Sequence, residues 1–156
     1  MEKLKDAGAD ILIFAPHWGT EGSYKVTANQ ESFAHAAIDA GAHIVFGTHP
    51  HVLQKMEAYN GGYIFYSLGN FSFGGNTAPR DVDTAIAQAT VKKDGDGWTI
   101  DGYDLIPCRL SSADSKNDYR PRPYKEDEEG YARVLSKLDG SWTGSDLNVD
   151  YSFMYR

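Results

Sequence analysis

The apolar positions of the first 47 residues fall in two short continuous runs. Residues 10–15 form the first run, after a charged segment that ends at Gly8, and residues 44–46 form the second. Continuous apolar runs of this length are typical of strands that are buried on both faces. The charged segment before Gly8 reads as the last turns of a helix, with the glycine as its stop.

An amphipathic stretch with helix signals at both ends separates the two runs. Thr27 and Gln30 have the spacing of a capping box, and Gly41 stands where a helix favours a left-handed residue. The apolar face predicted for this helix consists of Phe33, Ala36, Ala37 and Ala40. Two strands joined through a helix predict a right-handed parallel crossover.

The second half of the chain changes to a pattern typical of hairpins. The predicted strands span residues 52–59, 63–68, 82–93 and 98–103. Asn60-Gly61-Gly62 joins the first pair, and the Asp/Gly-rich residues 94–97 join the second. The pattern therefore predicts an α/β fold whose parallel strand-helix-strand unit is followed by antiparallel hairpins.

A short helix and an irregular tail complete the predicted organisation. The helix lies within residues 126–138, and its apolar face consists of Tyr131, Val134, Leu135 and Leu138. Residues 110–122 and 139–156 are polar and carry no clear periodicity. We therefore divide the chain into a lobe over residues 1–139 and an irregular tail over residues 140–156.

Composition narrows the classes of function. The chain has 156 residues, is 41% hydrophobic and 24% charged, and carries a formal net charge of −7. This is the composition of a soluble globular domain, and the absence of a basic stripe argues against a nucleic-acid partner. The longest apolar run, residues 11–16, is too short to span a bilayer, and the N-terminus does not resemble a signal peptide. The single cysteine, Cys108, precludes an internal disulfide.

Three histidines follow the two buried strands directly. His17 comes after the first, and His49 and His51 come after the second, in Gly47-Thr48-His49-Pro50-His51. Ligands of open parallel sheets bind at the carboxyl ends of the strands, where these loops begin. We expect Pro50 to hold the segment extended, so that both flanking imidazoles point to one side. Such a constellation suits Zn²⁺, Mn²⁺ or Fe.

Other interpretations stay open beside the metal site. Each histidine alone is more often a hydrogen-bonded structural or surface residue, and we assign His35 and His43 to that class. A pocket in which the histidines only form hydrogen bonds is therefore an alternative. No G-x-S-x-G elbow and no phosphate loop is present, so no catalytic residue is assigned.

At these residues the sequence resembles the poly-gamma-glutamate capsule synthesis (CapA) family, which is similar to the calcineurin-like metallophosphatases. The resemblance covers most of residues 10–138. Its segments are His17-Trp18-Gly19, Ala40-Gly41-Ala42, residues 47–54 (Gly-Thr-His-Pro-His-Val-Leu-Gln), 64–71 (Ile-Phe-Tyr-Ser-Leu-Gly-Asn-Phe) and 117–121 (Asn-Asp-Tyr-Arg-Pro).

The resemblance implies the C-terminal half of a four-layer α/β sandwich with a dinuclear site for Mn, Zn or Fe. In such sites two ions about 3.5–4 Å apart clamp a phosphoryl-type centre. His17, His49 and His51 would be metal ligands, and Ser67 and Asn70 would reach the substrate. The implied function is metal-dependent, phosphoesterase-like hydrolysis in capsule synthesis, with an anionic polymer or a phosphoester as the substrate.

The family's acidic motifs and its Asn-His pair have no counterpart before Asp10. We therefore expect an incomplete site with little or no hydrolase activity in this chain, and an exposed sheet edge that favours a homodimer. The resemblance implies a location at the cell surface, with any membrane attachment through an N-terminal segment that this sequence lacks. The alternative function is a non-catalytic binding or scaffold module of a polymer-synthesis apparatus.

Overall fold

The computed structural model describes residues 1–75, 77–95 and 97–149, in which three helices and seven strands occur. The helices are α1 (Glu2–Asp6), α2 (Ala28–Asp39) and α3 (Glu129–Leu138). The strands are β1 (Ile13–Phe14), β2 (Ile44–Phe46), β3 (Met56–Tyr59), β4 (Gly62–Phe65), β5 (Asp83–Asp94), β6 (Gly97–Arg109) and β7 (Arg122–Pro123). None of the helices in these ranges has the length and hydropathy that crossing a membrane requires.

The first sheet has the order β1-β2-β4-β3 and combines the predicted crossover with the first hairpin. β1 and β2 are parallel, with Ile13 opposite Ile44, as the strand-helix-strand pattern predicts. β4 then pairs in parallel with the other side of β2, where Tyr63 lies opposite Ile44. The hairpin turns at Asn60 and Gly61, whose positive φ values of 45° and 82° suit this tight connection. The first hairpin therefore extends the parallel sheet instead of forming a separate one.

β1 corrects the expectation of a first strand buried on both faces. It lies at the edge of the sheet and spans two residues, and Ile13 is 52% exposed. Leu12, by contrast, is buried. Phe14 packs against a core cluster, whereas the side chain of Ile13 is half exposed. An apolar run alone does not show whether both faces of a strand are covered.

Helix α2 has the predicted ends but a different buried face. The Thr27 side chain accepts a hydrogen bond from the Gln30 amide, and the Gln30 side chain accepts one from the Thr27 amide. The buried positions are Gln30, Ala34 and Ile38, which repeat every four residues, whereas Phe33 is 64% exposed. Of the predicted face, Ala37 packs against the core, whereas Phe33, Ala36 and Ala40 are exposed. The rest of the face was wrong because the buried stripe includes Gln30, which a hydrophobicity pattern does not count. Gly41 follows the helix with φ of +99°, as predicted.

The second sheet has the order β5-β6-β7 and is antiparallel, as the second hairpin predicts. The predicted turn includes residue 96, which lies outside the described residues. Ala87 and Ala89 of β5 pack against a cluster that includes Phe65 of the first sheet, and Ala85 belongs to a cluster with Leu53 and with Val134 and Leu138 of helix α3. The two sheets and the helices packed against them confirm a mixed α/β fold that forms part of an α/β sandwich.

Residues 140–149 contain no helix or strand, and residues 150–156 of the predicted tail lie outside the described residues. The described part of the tail returns to the loop that follows His17. The Leu147 amide donates to the Gly22 carbonyl, and Asp146 accepts from the Ser23 hydroxyl and the Tyr24 amide. The domain boundary at residue 139 stays a prediction, although these contacts tie the tail to the lobe.

Removing the cap of α2 tests this local structure. Thr27→Ala removes the side chain that accepts from the Gln30 amide. We expect the free energy of unfolding to fall by about 1 kcal/mol, measured by urea denaturation. Thr20→Ala, at an exposed loop position, is the control and should change it by less than about 0.5 kcal/mol. Equal effects of the two substitutions would contradict a stabilising cap.

Candidate functional site

The three predicted histidines lie together at the carboxyl edge of the parallel strands. His17 and Thr48 form an isolated parallel bridge, which continues the pairing of β1 with β2. The ring centroids of His17 and His49 are 4.5 Å apart, and those of His49 and His51 are 5.9 Å apart. Parallel pairing of neighbouring strands therefore brings together side chains that are more than thirty positions apart in sequence.

The backbone of the His-Pro-His segment corrects the expectation of an extended conformation. His49 has φ of +100° and His51 has φ of +59°, so both residues lie outside the extended region. Pro50 fixes only its own φ, and its carbonyl accepts a hydrogen bond from the Gly22 amide. Two non-glycine residues with positive φ in one loop store backbone strain, a feature that clusters at functional sites.

Hydrogen bonds orient two of the three rings. His51 Nδ1 is 2.6 Å from Asn70 Oδ1, and an amide oxygen only accepts, so Nδ1 carries the proton. The Thr48 hydroxyl donates to the Pro16 carbonyl and lies 3.4 Å from His17 Nδ1. The donor and acceptor in this second contact depend on the tautomer of His17. Nε2 of His51 is the nitrogen with an open lone pair.

The neighbouring rings favour the neutral form of His49. Burial and the nearby His17 and His51 lower the pKa of His49, while the negative charge of Glu21 opposes the shift. A neutral imidazole is the form that ligates a metal or accepts a proton. Glu21 thus acts electrostatically on the cluster from the loop that follows His17.

The histidines fit only part of a metal site. Across the described ranges there is no group of three or more His, Cys, Asp or Glu side chains arranged to hold a metal ion. His17 and His49 bring two imidazoles together, whereas a closed or dinuclear site needs further ligands and a carboxylate between the ions. A metal site at these histidines therefore stays a prediction.

The two predicted substrate residues lie in different environments. Ser67 is buried, and its hydroxyl donates to the Val52 carbonyl and accepts from the Gly69 amide. These hydrogen bonds indicate that Ser67 supports the loop that carries Asn70. Asn70 contacts His51 and lines a cavity beside it. Contact of Ser67 or Asn70 with a substrate stays a prediction.

The cavity beside His51 brings in residues that the sequence pattern missed. It has a volume of about 480 Å³, and besides His51 and Asn70 its polar lining includes Glu21, Arg80 and Asp81. No motif marks these three residues, because they come from a loop and from the segment before β5. The sequence indicates a place near the site only for Glu21, which follows His17 by four positions in the same loop.

A buried pair of glutamines supports the loops of the site. Gln30 of α2 donates to Gln54 at 2.8 Å, and Gln54 donates to the carbonyls of Ser23 and Lys25. Gln30 and Gln54 are each 1% exposed. The pair connects the helix, the loop after His17 and the segment after His51, so buried hydrogen bonding holds the two histidine loops in register.

The other two histidines have structural contacts, as predicted. His35 Nε2 is 3.1 Å from Glu57, and its ring stacks on Tyr59 at a centroid distance of 3.8 Å. His43 Nδ1 accepts a hydrogen bond from the Leu12 amide. Neither ring contacts the histidine cluster.

Comparison with known proteins relates these motifs to one family. A model described as "Bacterial capsule synthesis protein PGA_cap" matches residues 1–75, the part that contains all three site histidines. "PGA biosynthesis protein CapA" of Bacillus subtilis is 39% identical over 130 residues, or 83% of this chain. The chain belongs to the CapA family. "Capsule biosynthesis protein CapA" of Bacillus anthracis is 38% identical over 112 residues, or 72% of the chain.

A relative of lower identity comes from a third organism. A "Probable polyglutamine synthesis accessory protein" of Mycobacterium tuberculosis is 31% identical over 107 residues, or 65% of this CapA-family chain and 28% of that protein. The chain spans 31% of the length of the B. subtilis relative and 26% of the B. anthracis relative. The similarity therefore concerns 26–31% of the length of those proteins.

Proposed function

We propose that this CapA-family chain acts in poly-gamma-glutamate capsule synthesis and supplies the imidazole side of a metal-dependent, phosphoesterase-like hydrolase site. The observation that carries the proposal is the convergence of His17, His49 and His51 at one edge of the sheet, with the first two rings 4.5 Å apart. The names of the relatives support the capsule role. An anionic polymer or a phosphoester is the proposed substrate, and the cell surface is the proposed location.

The chain's own residues prepare the imidazoles for this role. Asn70 holds the Nδ1 proton of His51, so that this ring presents Nε2, and the Thr48 hydroxyl contacts His17 Nδ1. Mn²⁺, Zn²⁺ or Fe²⁺ bound there would act as a Lewis acid toward a phosphoryl oxygen. Because the described residues contain no group of three or more His, Cys, Asp or Glu side chains arranged to hold a metal ion, we expect this chain alone to hydrolyse a phosphoester slowly or not at all.

Metal content tests the proposal directly. After incubation with Mn²⁺, Zn²⁺ or Fe²⁺ and desalting, we expect about one ion per chain, held by neutral imidazoles. His49→Ala combined with His51→Ala should remove this ion, because one imidazole does not retain a metal through desalting. Elemental mass spectrometry measures the stoichiometry.

His35→Ala is the matched control, since it removes an imidazole that contacts Glu57 and Tyr59 and not the cluster. It should leave the metal content unchanged. The same stoichiometry in the double variant and in the parent chain would contradict the half-site.

The second candidate is a non-catalytic module that binds a polymer or a protein of the synthesis apparatus. The incomplete ligand set among the described residues favours it. It is distinguished by poly-gamma-glutamate binding that persists after all three histidines are replaced. Loss of polymer binding together with metal would favour the hydrolase site.

A further inference from the structure

The cavity beside His51 holds two opposite charges, at Glu21 and Arg80. A third charged residue, Asp81, also lines the cavity, but its charge is neutralised by an ion pair with Lys137. Lys137 Nζ lies 2.8 Å and 3.0 Å from the two carboxylate oxygens of Asp81, and the Tyr24 hydroxyl donates to it as well. Among the described lining residues, the charges left for a ligand are therefore one guanidinium and one carboxylate.

Most N–H donors of the Arg80 guanidinium are not engaged by the described residues. It is exposed, and among the described residues its side chain donates to the Asn148 carbonyl. A guanidinium carries five N–H donors in a planar fork that matches a carboxylate. One backbone contact holds the group in place and leaves most of the fork for an anion.

Glu21 supplies the complementary charge. Within the described ranges no hydrogen bond or ion pair engages its carboxylate, although its field reaches His49. A partly buried carboxylate without a partner favours a cationic ligand group. Leu147, Val149 and Phe73 give the same cavity an apolar wall, which suits methylene groups.

We infer that this cavity binds an α-amino acid head group, with the α-carboxylate at Arg80 and the α-ammonium at Glu21. The inference rests on the proposed role in poly-gamma-glutamate synthesis, and it specifies which part of that polymer the site recognises. In a γ-linked chain the bond runs through the side-chain carboxyl. The amino-terminal residue therefore keeps its ammonium and its α-carboxylate on one carbon.

Other segments of a peptide lack this pair of charges. An internal γ-linked residue has the α-carboxylate but not the ammonium, and the first residue of an α-linked peptide has the ammonium but not the α-carboxylate. Glu21 disfavours the first, and Arg80 is left unpaired by the second. The cavity thus selects the amino-terminal end of a γ-linked chain.

Calorimetric titration of the chain with two isomeric dipeptides tests the inference. We expect γ-glutamyl-glutamate to bind at least about tenfold more tightly than α-glutamyl-glutamate, since one charge-assisted contact is lost in the latter. Acetylation of the γ-dipeptide's amino group should weaken binding by a similar factor. Free glutamate that binds as tightly as the γ-dipeptide would support head-group recognition with the free amino acid as the source.

Arg80→Gln should remove the preference for the γ-dipeptide over the α-dipeptide, and Arg80→Lys should restore part of it. Glu21→Gln should instead remove the preference for the free over the acetylated γ-dipeptide, because both isomers carry the ammonium. Arg120→Gln removes an exposed arginine outside the cavity and is the matched control. Circular dichroism verifies that each variant is folded. Equal affinities for the two dipeptides, or no binding of the γ-dipeptide at millimolar concentration, would overturn the inference. Metal content is a separate readout, so a failure of the histidine half-site is recognised independently.

Discussion

Lys137→Met is expected to lower the free energy of unfolding by about 3–5 kcal/mol, because it leaves buried carboxylates without their cation. The Lys137 side chain is 3% exposed and lies within 3.0 Å of Asp81 and Asp83, whose side chains are 5% and 0% exposed. Methionine matches the length of the lysine stem, so the loss is mainly electrostatic. Urea denaturation monitored by circular dichroism gives the free energy.

The surroundings of Lys137 explain the size of this effect. Its ammonium also lies 4.9 Å from the ring centroid of Tyr24 and 5.3 Å from that of Trp142. Arg133 still pairs with Asp83 in the variant, at 2.7 Å, whereas Asp81 keeps two uncharged donors, the Tyr24 hydroxyl and the Asp83 amide. Most of the penalty therefore falls on Asp81, which lines the cavity beside His51.

The same network predicts a dependence on pH. Burial by itself raises the pKa of Asp83, but hydrogen bonds from Arg133 and Lys137 outweigh it and hold that pKa below the ordinary value of 3.8. A lowered pKa in the folded state contributes stability above pH 3.8 that is lost as the pH falls through the folded value. In Lys137→Met the pKa of Asp83 rises, so the acid loss of stability should begin at a higher pH.

Lys116→Met is the control, because Lys116 is exposed. It should change the free energy of unfolding by no more than about 0.5 kcal/mol and leave the acid transition in place. A Lys137→Met chain with the stability of this control would show that the buried charges contribute nothing.

Gly47→Ala should have the next largest effect, a loss of about 3 kcal/mol from steric overlap. A Cβ at this position would lie 2.1 Å from the Tyr66 carbonyl oxygen and 2.4 Å from Trp18 Nε1. These two atoms form a hydrogen bond of 2.9 Å across the glycine. The added methyl group must therefore push apart β2 and the residue that follows β4, or break that bond.

The overlap at Gly47 should also displace the site histidines, because Gly47 directly precedes the loop that carries His49 and His51. Under the proposed metal-binding role, we expect Gly47→Ala to hold less metal than the parent chain even under conditions where it is folded, with urea denaturation and elemental analysis as the two measurements. Gly74→Ala is the control, since a Cβ there meets no atom within 4 Å. Parent-like stability and metal content in Gly47→Ala would refute the tight approach of these strands.

The candidate site was predictable in part from local signals. Histidines that directly follow two parallel strands must lie at one edge, and the structure places His17 and His49 side by side there. The conformation of the His-Pro-His segment was not predictable, because contacts such as the one from Gly22 to Pro50 decide it. Glu21 and Arg80 were missed for a related reason, since neither belongs to a motif.

The sequence by itself determined the elements whose signals are local. The capping box of Thr27 and Gln30, the glycine after α2 and the turn at Asn60 and Gly61 depend on neighbours within a few positions. The tertiary structure alone decided which side of β2 receives β4, and that Lys137 on α3 is buried. Lys137 and Asp81 are 56 positions apart, so their pairing is encoded in packing between distant segments, which a pattern read along the chain does not contain.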